Sequence, residues 1–496
     1  MDRRLNVQIS SCNIEHDITA KTLVLLIDEK KEIISDILPY IDKAFLKDLL
    51  DNYHFEGKIF ETISSIIPAS QSSLKKIILL GLGDKQNLQA DDWLKLGGSL
   101  WKVVENEGEV ICFCDSDSGI NERQQIIDLL SGFYLGGYKF DKYFSKRSSQ
   151  EKELNLTLCC PFHKEAEEIL SMACAVSETV SLARDLVNEP GNILTPEQFC
   201  ARIQSCSAYG LEIEILEKEK LLSLGMHALL GVAQGSTKSP YLAIMRWQGT
   251  KIEEPPIAFV GKGITFDSGG ISIKPSMHME EMKGDMGGAA AVVGSLCLLA
   301  KRKAPVNAVG VIALAENMPD GNAQRPGDIV TSMSGVTIEI NNTDAEGRLA
   351  LADALFYTKK TFKPKCIVDL ATLTGAITVA LGTQYAGLFS NNSDLAKQLI
   401  KAGESTGEKL WQLPLAKEYD KMLESQFADI KNSCGRQAGA ITAAQFLQRF
   451  VEEEKWAHID IAGTASDALK SPYCSSWSTG FGVRLLDRFV AENYEK

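Results

Sequence analysis

Residues 257–270 read IAFVGKGITFDSGG, and this stretch joins an apolar run to a glycine-rich segment that carries a lysine and an aspartate. The apolar run predicts a buried strand over residues 257–260, followed directly by a loop over residues 261–270. In α/β sheets, ligands bind in loops at the carboxyl ends of strands, and glycines let the backbone approach a ligand closely. The stretch therefore predicts an α/β sheet with a ligand site at the carboxyl end of this strand.

The segments on both sides of this stretch continue an alternation of strands and helices. Short apolar or β-branched runs predict strands, and segments with a 3.6-residue period predict helices. Further strands are predicted at residues 22–27, 76–80, 110–114, 154–160, 211–215, 241–246, 308–315, 366–370 and 458–461. Helices are predicted at residues 90–105, 287–300 and 346–360. This rhythm indicates an α/β protein with mostly parallel or mixed sheets flanked by helices.

A long uninterrupted helix is predicted between two such blocks, over about residues 164–187. It contains no Pro or Gly, and it ends at NEPGN over residues 188–192, a strong stop signal. The next block starts at Thr195 followed by Pro196, the pattern of a helix cap with proline in the first turn. The predicted organisation is an N-terminal α/β domain over residues 1–163, a linker helix over residues 164–189 and a second α/β domain over residues 190–496.

The overall composition limits the partners of the protein. Among 496 residues, 65 Asp and Glu against 52 Lys and Arg give a net charge of −13 at pH 7, which disfavours a broad phosphate-binding surface. The 12 cysteines include no C-x-x-C pair, so we expect reduced core cysteines and a cytoplasmic location. The basic N-terminus has no apolar stretch behind it, and the apolar run at residues 287–300 is too short to cross a bilayer, so no membrane association is expected.

Common signatures of hydrolases are absent from the sequence. There is no G-x-S-x-G elbow, and residues 278–282, which read HMEEM, lack the second histidine of a zinc-binding H-E-x-x-H motif. The six histidines are scattered along the chain, which disfavours a zinc site built from histidine.

Carboxylates stand where predicted strands end and predicted helices begin. Asp267 follows a strand, Asp285 precedes a helix, and the pair Asp344 and Glu346 stands at the start of another. Taken singly, Asp285 or Asp344 has a plain explanation as a helix cap, and Glu346 and Arg348 as surface charges on a first turn. Taken together, four carboxylates repel one another unless a metal neutralises them. Oxygen ligands suit Mg²⁺, Mn²⁺ or Zn²⁺, and four carboxylates are enough for two ions that share a bridging ligand.

Residues 342–349, which read NTDAEGRL, are identical to the signature octapeptide of the leucine aminopeptidase (cytosol aminopeptidase) family. The chain is identified as resembling a bacterial member of this family. The resemblance covers residues 170–490, whereas the first 160 residues are similar only in their α/β rhythm, and residues 276–280 depart from the pattern and are assigned no role. Blocks that resemble other segments of the family stand at residues 261–275, 282–289, 369–376 and 460–464.

The resemblance implies that two divalent metal ions, Mn²⁺ or Zn²⁺, bind in each subunit. It assigns one ion to Lys262, Asp267, Asp285 and Glu346, and the other to Asp267, Asp344 and Glu346. A water that bridges the two ions then attacks the scissile bond, because two cations lower its pKa and polarise the carbonyl. Because a lysine coordinates only when neutral, the pKa of Lys262 has to lie well below its reference value of about 10.4.

The resemblance also implies how a peptide with a free N-terminus is bound and cut. Lys274 stabilises the oxyanion of the tetrahedral intermediate, and Arg348 holds a bicarbonate ion that shuttles the proton. The free amine binds the metal held by Lys262, so only N-terminal residues are released. The side chain of that residue is expected to contact small or apolar residues, namely Met282, Thr372, Leu373, Gly375 and Ala462. Such contacts favour Leu and other apolar residues, with discrimination of only about 1–3 kcal/mol per methylene.

The resemblance also implies an oligomeric state and a possible second role, and the residues leave two alternative functions open. Members of the family are homohexamers, and some bacterial members bind DNA as a second role, which the net charge of −13 disfavours here. A two-metal phosphatase or nuclease is an alternative enzyme, although only Lys274 and Arg348 stand close enough to grip a phosphate. A non-catalytic scaffold is a further alternative, which the intact metal motifs disfavour.

Overall fold

The structure is a computed structural model that describes residues 5–11, 20–31, 41–68, 74–114, 119–146, 153–251, 254–468 and 470–495. The chain divides into two compact units, of which the first comprises Met1–Ser177 and Lys470–Ser476. The second comprises Glu178–Leu469 and Trp477–Lys496. The division falls inside helix Ala166–Asn188, which the sequence predicts over residues 164–187.

The described residues of the first unit form a six-stranded sheet. Its strands are β1 (Leu5–Ser10), β2 (Thr22–Asp28), β3 (Thr62–Ile66), β4 (Lys76–Gly83), β5 (Glu109–Phe113) and β6 (Leu154–Cys159). They are ordered β1-β6-β5-β2-β4-β3, and every pair is parallel except β3 with β4. The unit's helices are α1 (Lys43–Asn52), α2 (Asp92–Val104), α3 (Arg123–Gly136) and the first part of α4 (Ala166–Asn188).

The helices of the first unit cover the sheet because their apolar residues fall on one face. In α2, Trp93, Leu96, Leu100 and Val104 are spaced three and four residues apart, which places them on one side of a helix. All four are buried in one apolar cluster with sheet residues such as Val24. A second buried cluster lies on the residues of β2 that alternate with Val24. Both faces of this sheet are therefore covered.

The second unit contains the larger sheet, with eight strands in the described residues. They are β7 (Glu212–Leu216), β8 (Tyr241–Gln248), β9 (Ile257–Asp267), β10 (Asn307–Asn317), β13 (Cys366–Ala371), β14 (Ala386–Ser390), β15 (Leu410–Gln412) and β17 (Trp456–Asp460). The order is β15-β14-β17-β13-β9-β10-β8-β7. The central strands β17, β13, β9 and β10 are parallel neighbours, so their carboxyl ends meet at one edge. A small sheet holds β11 (Ile329–Thr331), β12 (Thr337–Glu339) and β16 (Ile430–Lys431).

Helices cover both faces of the larger sheet. They are α5 (Pro196–Ser205), α6 (Lys218–Leu224), α7 (His227–Val232), α8 (Gly287–Lys301), α9 (Gly347–Phe362), α10 (Gly375–Leu381), α11 (Ser393–Thr406), α12 (Lys417–Lys421), α13 (Gly439–Val451) and α14 (Val483–Asn493). Helices α7, α9 and α13 share a buried cluster with Ala258 and Val260 of β9. Helix α8 contacts the other face of β9, where Gly261 lies against Ala289. The predicted α/β class, with mostly parallel or mixed sheets flanked by helices, is confirmed.

The loop predicted over residues 261–270 is wrong in its first part, because β9 continues as a strand to Asp267. In the sequence the glycines of this stretch indicate a loop, but in the structure Gly261 leaves room for helix α8 to pack closely against β9. A Cβ atom at Gly261 would lie 2.7 Å from the Cα atom of Ala289, in the backbone of α8. Lys262 and Asp267 are consequently held on a central, buried strand.

One helical segment among the described residues, Met279–Lys301, is long and apolar enough to cross a membrane, with a mean hydropathy of 1.2. It exceeds the apolar run at residues 287–300 because a 3₁₀ turn, Met279–Gly284, precedes α8. However, 89% of its apolar window is buried inside the protein, as in the core helix of a soluble protein. Its apolar character is therefore explained by the packing of α8 against the sheet.

The cysteines of the described residues carry free thiols, and all but Cys174 and Cys434 are buried. This agrees with the expectation of reduced core cysteines. Cys12 lies outside the described residues.

Candidate metal centre

The predicted metal ligands come together at the carboxyl edge of the central strands. Lys262 and Asp267 lie on β9, Asp285 stands just before α8, and the pair Asp344 and Glu346 precedes α9. Lys262, Asp267 and Glu346 are each only 2% exposed, and Asp285 is also buried. This edge is where ligands bind in α/β sheets.

Lys262 lies between two of these carboxylates. Its Nζ atom is 2.8 Å from Oδ1 of Asp285 and 2.9 Å from Oε1 of Glu346. It also donates a hydrogen bond of 3.0 Å to the backbone carbonyl of Thr372, in the segment after β13. One buried ammonium group thus ties β9 to the starts of α8 and α9.

Lys274 lies between the other two carboxylates. Its Nζ atom is 2.7 Å from Oδ2 of Asp267 and 2.5 Å from Oδ1 of Asp344. Its side chain is 20% exposed, whereas that of Lys262 is 3% exposed. The two lysines therefore have similar partners but unequal access to solvent.

The carboxylate oxygens are close enough to share a cation. One oxygen from each of Asp267, Asp344 and Glu346 lies within 4.8 Å of the other two. Four carboxylates and two ammonium groups leave this buried cluster with a formal charge of −2. In addition, Oδ2 of Asp285 and Oε2 of Glu346 are buried and have no hydrogen-bond partner among the described residues. Excess negative charge and unpartnered oxygens are the properties of a site for hard divalent cations.

The crowding of like charges changes the pKa values of the acids. Burial raises the pKa of Asp267 to about 6, and the neighbouring Glu346 carboxylate adds to this effect. Burial likewise raises the pKa of Asp285 and of Asp344. Glu346 differs, because the charges of Lys262 and Lys274 outweigh its burial and lower its pKa. Opposite shifts within one cluster mark a candidate functional site.

The pKa of Lys262 shifts in the direction opposite to the one expected for a metal-ligating lysine. Burial acts to lower the pKa of Lys262, but the charges of Asp285, Glu346 and Asp267 raise it above its ordinary value. The surrounding carboxylates favour the ammonium form because they are negatively charged. A cation that binds at Lys262 therefore has to displace a proton from it.

The alternative explanations for single residues are wrong in this structure. The N-cap of α8 is Met286 and that of α9 is Glu346, and neither makes a capping hydrogen bond with its side chain. Asp285 and Asp344 are thus not helix caps. Glu346 and Arg348 are both buried rather than charges on the surface.

Arg348 lies beside the cluster, in the first turn of α9. Its Nη1 atom donates a hydrogen bond of 2.7 Å to the backbone carbonyl of Asn432, and burial lowers its pKa. Its Nε atom is buried and has no hydrogen-bond partner among the described residues. Arg348 is thus fixed by one nitrogen and retains a further donor.

A cavity of about 640 Å³ opens next to the cluster and is lined by Asp344 and Arg348. Of the predicted substrate contacts, Leu373 and Gly375 line it. The other three, Met282, Thr372 and Ala462, are not among its lining residues. The structure thus brings together all the predicted charged residues and only part of the predicted substrate contacts.

Of the three remaining residues, Thr372 and Met282 contact the charged cluster through Asp285, whereas Ala462 contacts Asp460. Thr372 donates a hydrogen bond of 2.8 Å from Oγ1 to Oδ1 of Asp285. Ala462 donates its backbone N–H to Oδ1 of Asp460 over 3.2 Å. Met282 lies in the 3₁₀ turn, and its carbonyl accepts the backbone N–H of Asp285 over 3.3 Å.

Sequence reasoning missed Asn317, which supports the centre from the end of β10. Its Nδ2 atom donates to Oδ1 of Asp267 over 2.8 Å and to the carbonyl of Thr343 over 3.1 Å. Asn317 is 4% exposed, so these bonds are shielded from water. The signal that singles out Asp267, a polar residue at the carboxyl end of a buried strand, also applies to Asn317.

Asp460, at the end of β17, begins the block at residues 460–464 that resembles the family, and it organises the segment after β13. It is fully buried and accepts the backbone N–H of Leu373 over 3.0 Å and the hydroxyl of Thr374 over 2.7 Å. Together with its bond from Ala462, these contacts fix residues beside the cavity.

The fold and the site together define an α/β protein in which buried carboxylates and lysines at the carboxyl edge of a sheet are arranged for divalent cations. Residues 181–487 match the "Cytosol aminopeptidase family, catalytic domain", and residues 24–147 match the N-terminal domain of the same family. The chain belongs to the cytosol aminopeptidase family. It is accordingly a peptidase of a metal-dependent family, which decides against the phosphatase, nuclease and scaffold alternatives.

Curated relatives and solved structures agree with this membership. The chain is 53% identical to a "Probable cytosol aminopeptidase" of Brucella ovis over 92% of each chain. It is 52% identical to a protein of that name from Sinorhizobium fredii, over 89% of this chain and 90% of the other. The bottromycin maturation enzyme BotP, solved in complex with Mn, is similar in structure, with a TM-score of 0.84 and 31% identity over 96% of this chain and 99% of that one.

Proposed function

We propose that this aminopeptidase releases N-terminal amino acids, preferentially Leu and other apolar residues, from peptides with a free N-terminus. The observation that carries the proposal is the buried cluster of four carboxylates and two lysines beside the cavity. The excess negative charge of the cluster favours the binding of cations, and the cavity provides room for the N-terminus of a peptide.

The residues that we propose to hold two divalent cations are those of this cluster. Lys262, Asp267, Asp285 and Glu346 would hold one ion, and Asp267, Asp344 and Glu346 the other, with Mn²⁺ or Zn²⁺ as the candidates. The unpartnered oxygens of Asp285 and Glu346 support this assignment. When bound, the ions would supply an activated bridging water and polarise the scissile carbonyl.

The two cationic residues next to the cluster have separate proposed roles. Lys274 stabilises the oxyanion of the tetrahedral intermediate, and its partial exposure makes it accessible to a substrate. Arg348 would hold a bicarbonate ion, which would supply a proton shuttle, and this role is supported by the unpartnered Nε atom of Arg348 and its place in the cavity wall. Both lysine and arginine remain protonated, because the carboxylates raise the pKa of Lys274 and an arginine does not lose its proton in a protein.

The preference for apolar residues follows from the residues proposed to face the substrate side chain. Met282, Thr372, Leu373, Gly375 and Ala462 are small or apolar, and the cavity wall adds Ala376 and Val379. Apolar contacts discriminate weakly, by about 1–3 kcal/mol per methylene, so we expect a broad preference.

The test of this proposal compares leucine p-nitroanilide with its N-acetylated counterpart. The free amide is expected to be cut and the acetylated one to resist, because acetylation removes the lone pair with which the amine binds the centre. Steady-state rates on both substrates, with Mn²⁺ present, provide the measurement. Similar rates on both would indicate an endopeptidase or a general amidase.

The assembly and the location are proposals of the same kind. We place the enzyme in the cytoplasm as a homohexamer, and no membrane partner is proposed. DNA binding is not proposed, since a net charge of −13 repels a polyanion.

A further inference from the structure

Asn432 comes directly after β16, the short strand that pairs in parallel with β12. Its backbone N–H donates to the carbonyl of Glu339, the last residue of β12, over 2.9 Å. The side chain is fully buried. The small sheet thus places one buried amide beside the segment that leads from β12 to the metal cluster.

The amide of Asn432 binds both ends of that segment. Its Oδ1 atom accepts the backbone N–H groups of Asn341 over 3.0 Å and of Asn342 over 3.3 Å. Its Nδ2 atom donates to the carbonyls of Asn342 over 2.7 Å and of Ala345 over 3.4 Å. An asparagine amide has two donors and two acceptor positions, and all of them are used here.

The segment held in this way contains Asp344 and ends at Glu346. Their carboxylates repel each other and yet must keep their oxygens within 4.8 Å. The backbone carbonyl of Asn432 also accepts Arg348 Nη1 over 2.7 Å. One residue therefore holds the backbone on both sides of Asp344 and immediately before Glu346, and it also binds the neighbouring arginine.

We infer that Asn432 is a positioning residue that holds Asp344 and Glu346 in the geometry needed to bind divalent cations. The inference rests on the proposed function, because it assumes that these carboxylates are ligands. Residues that support metal ligands typically contribute 10–100-fold to metal affinity. No other standard side chain of this size offers two donors and two acceptors. Substitution of Asn432 therefore removes hydrogen bonds that hold the segment between β12 and the metal cluster.

The experiment measures Mn²⁺ binding to metal-stripped protein by titration calorimetry, for the wild type, Asn432→Ala and Asn432→Ser. We expect roughly 10–100-fold weaker binding of at least one Mn²⁺ in Asn432→Ala. Asn432→Ser retains a hydroxyl that can hydrogen-bond to this segment. Its Mn²⁺ affinity is therefore expected to lie between those of the wild type and Asn432→Ala. For leucine p-nitroanilide, kcat is expected to fall and KM to change little, since Asn432 does not line the cavity.

Asn391 supplies a matched control in the same unit. Its side chain also joins two backbone segments, donating to the carbonyl of Glu454 over 2.8 Å and accepting the N–H of Trp456 over 2.9 Å. Trp456 begins β17, whereas Asp460 ends that strand at the carboxyl edge. Asn391→Ala is therefore expected to lower thermal stability while leaving Mn²⁺ affinity within twofold of the wild type.

The possible outcomes distinguish the role of Asn432 from the proposed function. Asn432→Ala or Asn432→Ser protein that binds Mn²⁺ as tightly as Asn391→Ala would overturn the inference, whatever its stability. If the wild type binds Mn²⁺ but cuts no leucine amide, the proposed function fails while the affinity ratio still decides the role of Asn432. A wild type that binds no Mn²⁺ overturns both.

Discussion

Lys262 and Lys274 are equivalent in composition but differ in their surroundings. Lys262 is enclosed by Asp285, Glu346 and the carbonyl of Thr372. Lys274 is partly open to solvent and contacts Asp267 and Asp344. The buried position of Lys262 suits a metal ligand, and the partly exposed position of Lys274 suits a group that contacts the substrate.

Replacement of each lysine by alanine is expected to have a different effect. Lys262→Ala lowers the occupancy of one metal site, so part of the lost rate returns at high metal concentration. Lys274→Ala retains both metals and loses roughly 10²–10³-fold in kcat, the cost of a missing oxyanion donor. Elemental analysis together with kcat at low and high Mn²⁺ measures both effects.

Lys301→Ala is the matched control for these variants. Lys301 ends α8, the helix that starts beside Asp285, and pairs with Glu178 away from the cluster. Its replacement is expected to leave kcat and metal content unchanged. If Lys274→Ala lost a metal while Lys262→Ala kept both, the two roles would have to be exchanged.

Position in the sequence predicts the charged residues of the centre individually but not their pairing, and only the family resemblance grouped Lys262 with Asp267, Asp285 and Glu346. Position at strand ends and helix starts singles out Asp267, Asp285 and the pair at the start of α9. Which lysine faces which carboxylate depends on contacts between β9, α8 and α9, which lie far apart in sequence. Asn432 was missed for the same reason, since it follows a strand of only two residues and carries no sequence signal.

At the scale of elements, the central strands were predicted well, whereas the edge strands β1 and β3 of the first sheet were not. The prediction at residues 366–370 matches β13, because this strand is buried on both faces and reads as an apolar run interrupted only by the buried Asp369. By contrast, β1 and β3 lie at the edges of the first sheet and alternate exposed with less exposed residues. Half-exposed edge strands contain polar residues and lack that signal.

The close packing of α8 against β9 at Gly261, which positions the metal centre, can be tested by substitution. Gly261→Ala is expected to destabilise the protein by about 1–3 kcal/mol, because the added Cβ would lie 2.7 Å from backbone in α8. Movement of β9 away from α8 should also displace the neighbouring Lys262 and lower activity. Thermal unfolding and kcat/KM on leucine p-nitroanilide measure the two effects.

Gly321→Ala provides the control, since a Cβ at Gly321 has no atom within 4 Å and its φ angle is not in the left-handed region. Its stability should equal that of the wild type or exceed it slightly. Equal stability of the two variants would show that the close approach of α8 to β9 is not needed.

At the scale of the whole molecule, the homohexamer is the next prediction. It rests on the family to which the chain belongs, whose members are expected to assemble in this way. Light scattering at micromolar concentration should give the mass of six chains. A monomer with full activity would contradict it.

Metal dependence is the central claim, and one measurement on the intact protein tests it most directly. Chelator-treated, dialysed protein is assayed with leucine p-nitroanilide before and after Mn²⁺ is added, with the metal content determined in each sample. Because the proposed nucleophile is a water that the bound ions activate, activity should fall to background without metal and return with Mn²⁺. Full activity in protein shown to be free of metal would contradict the account.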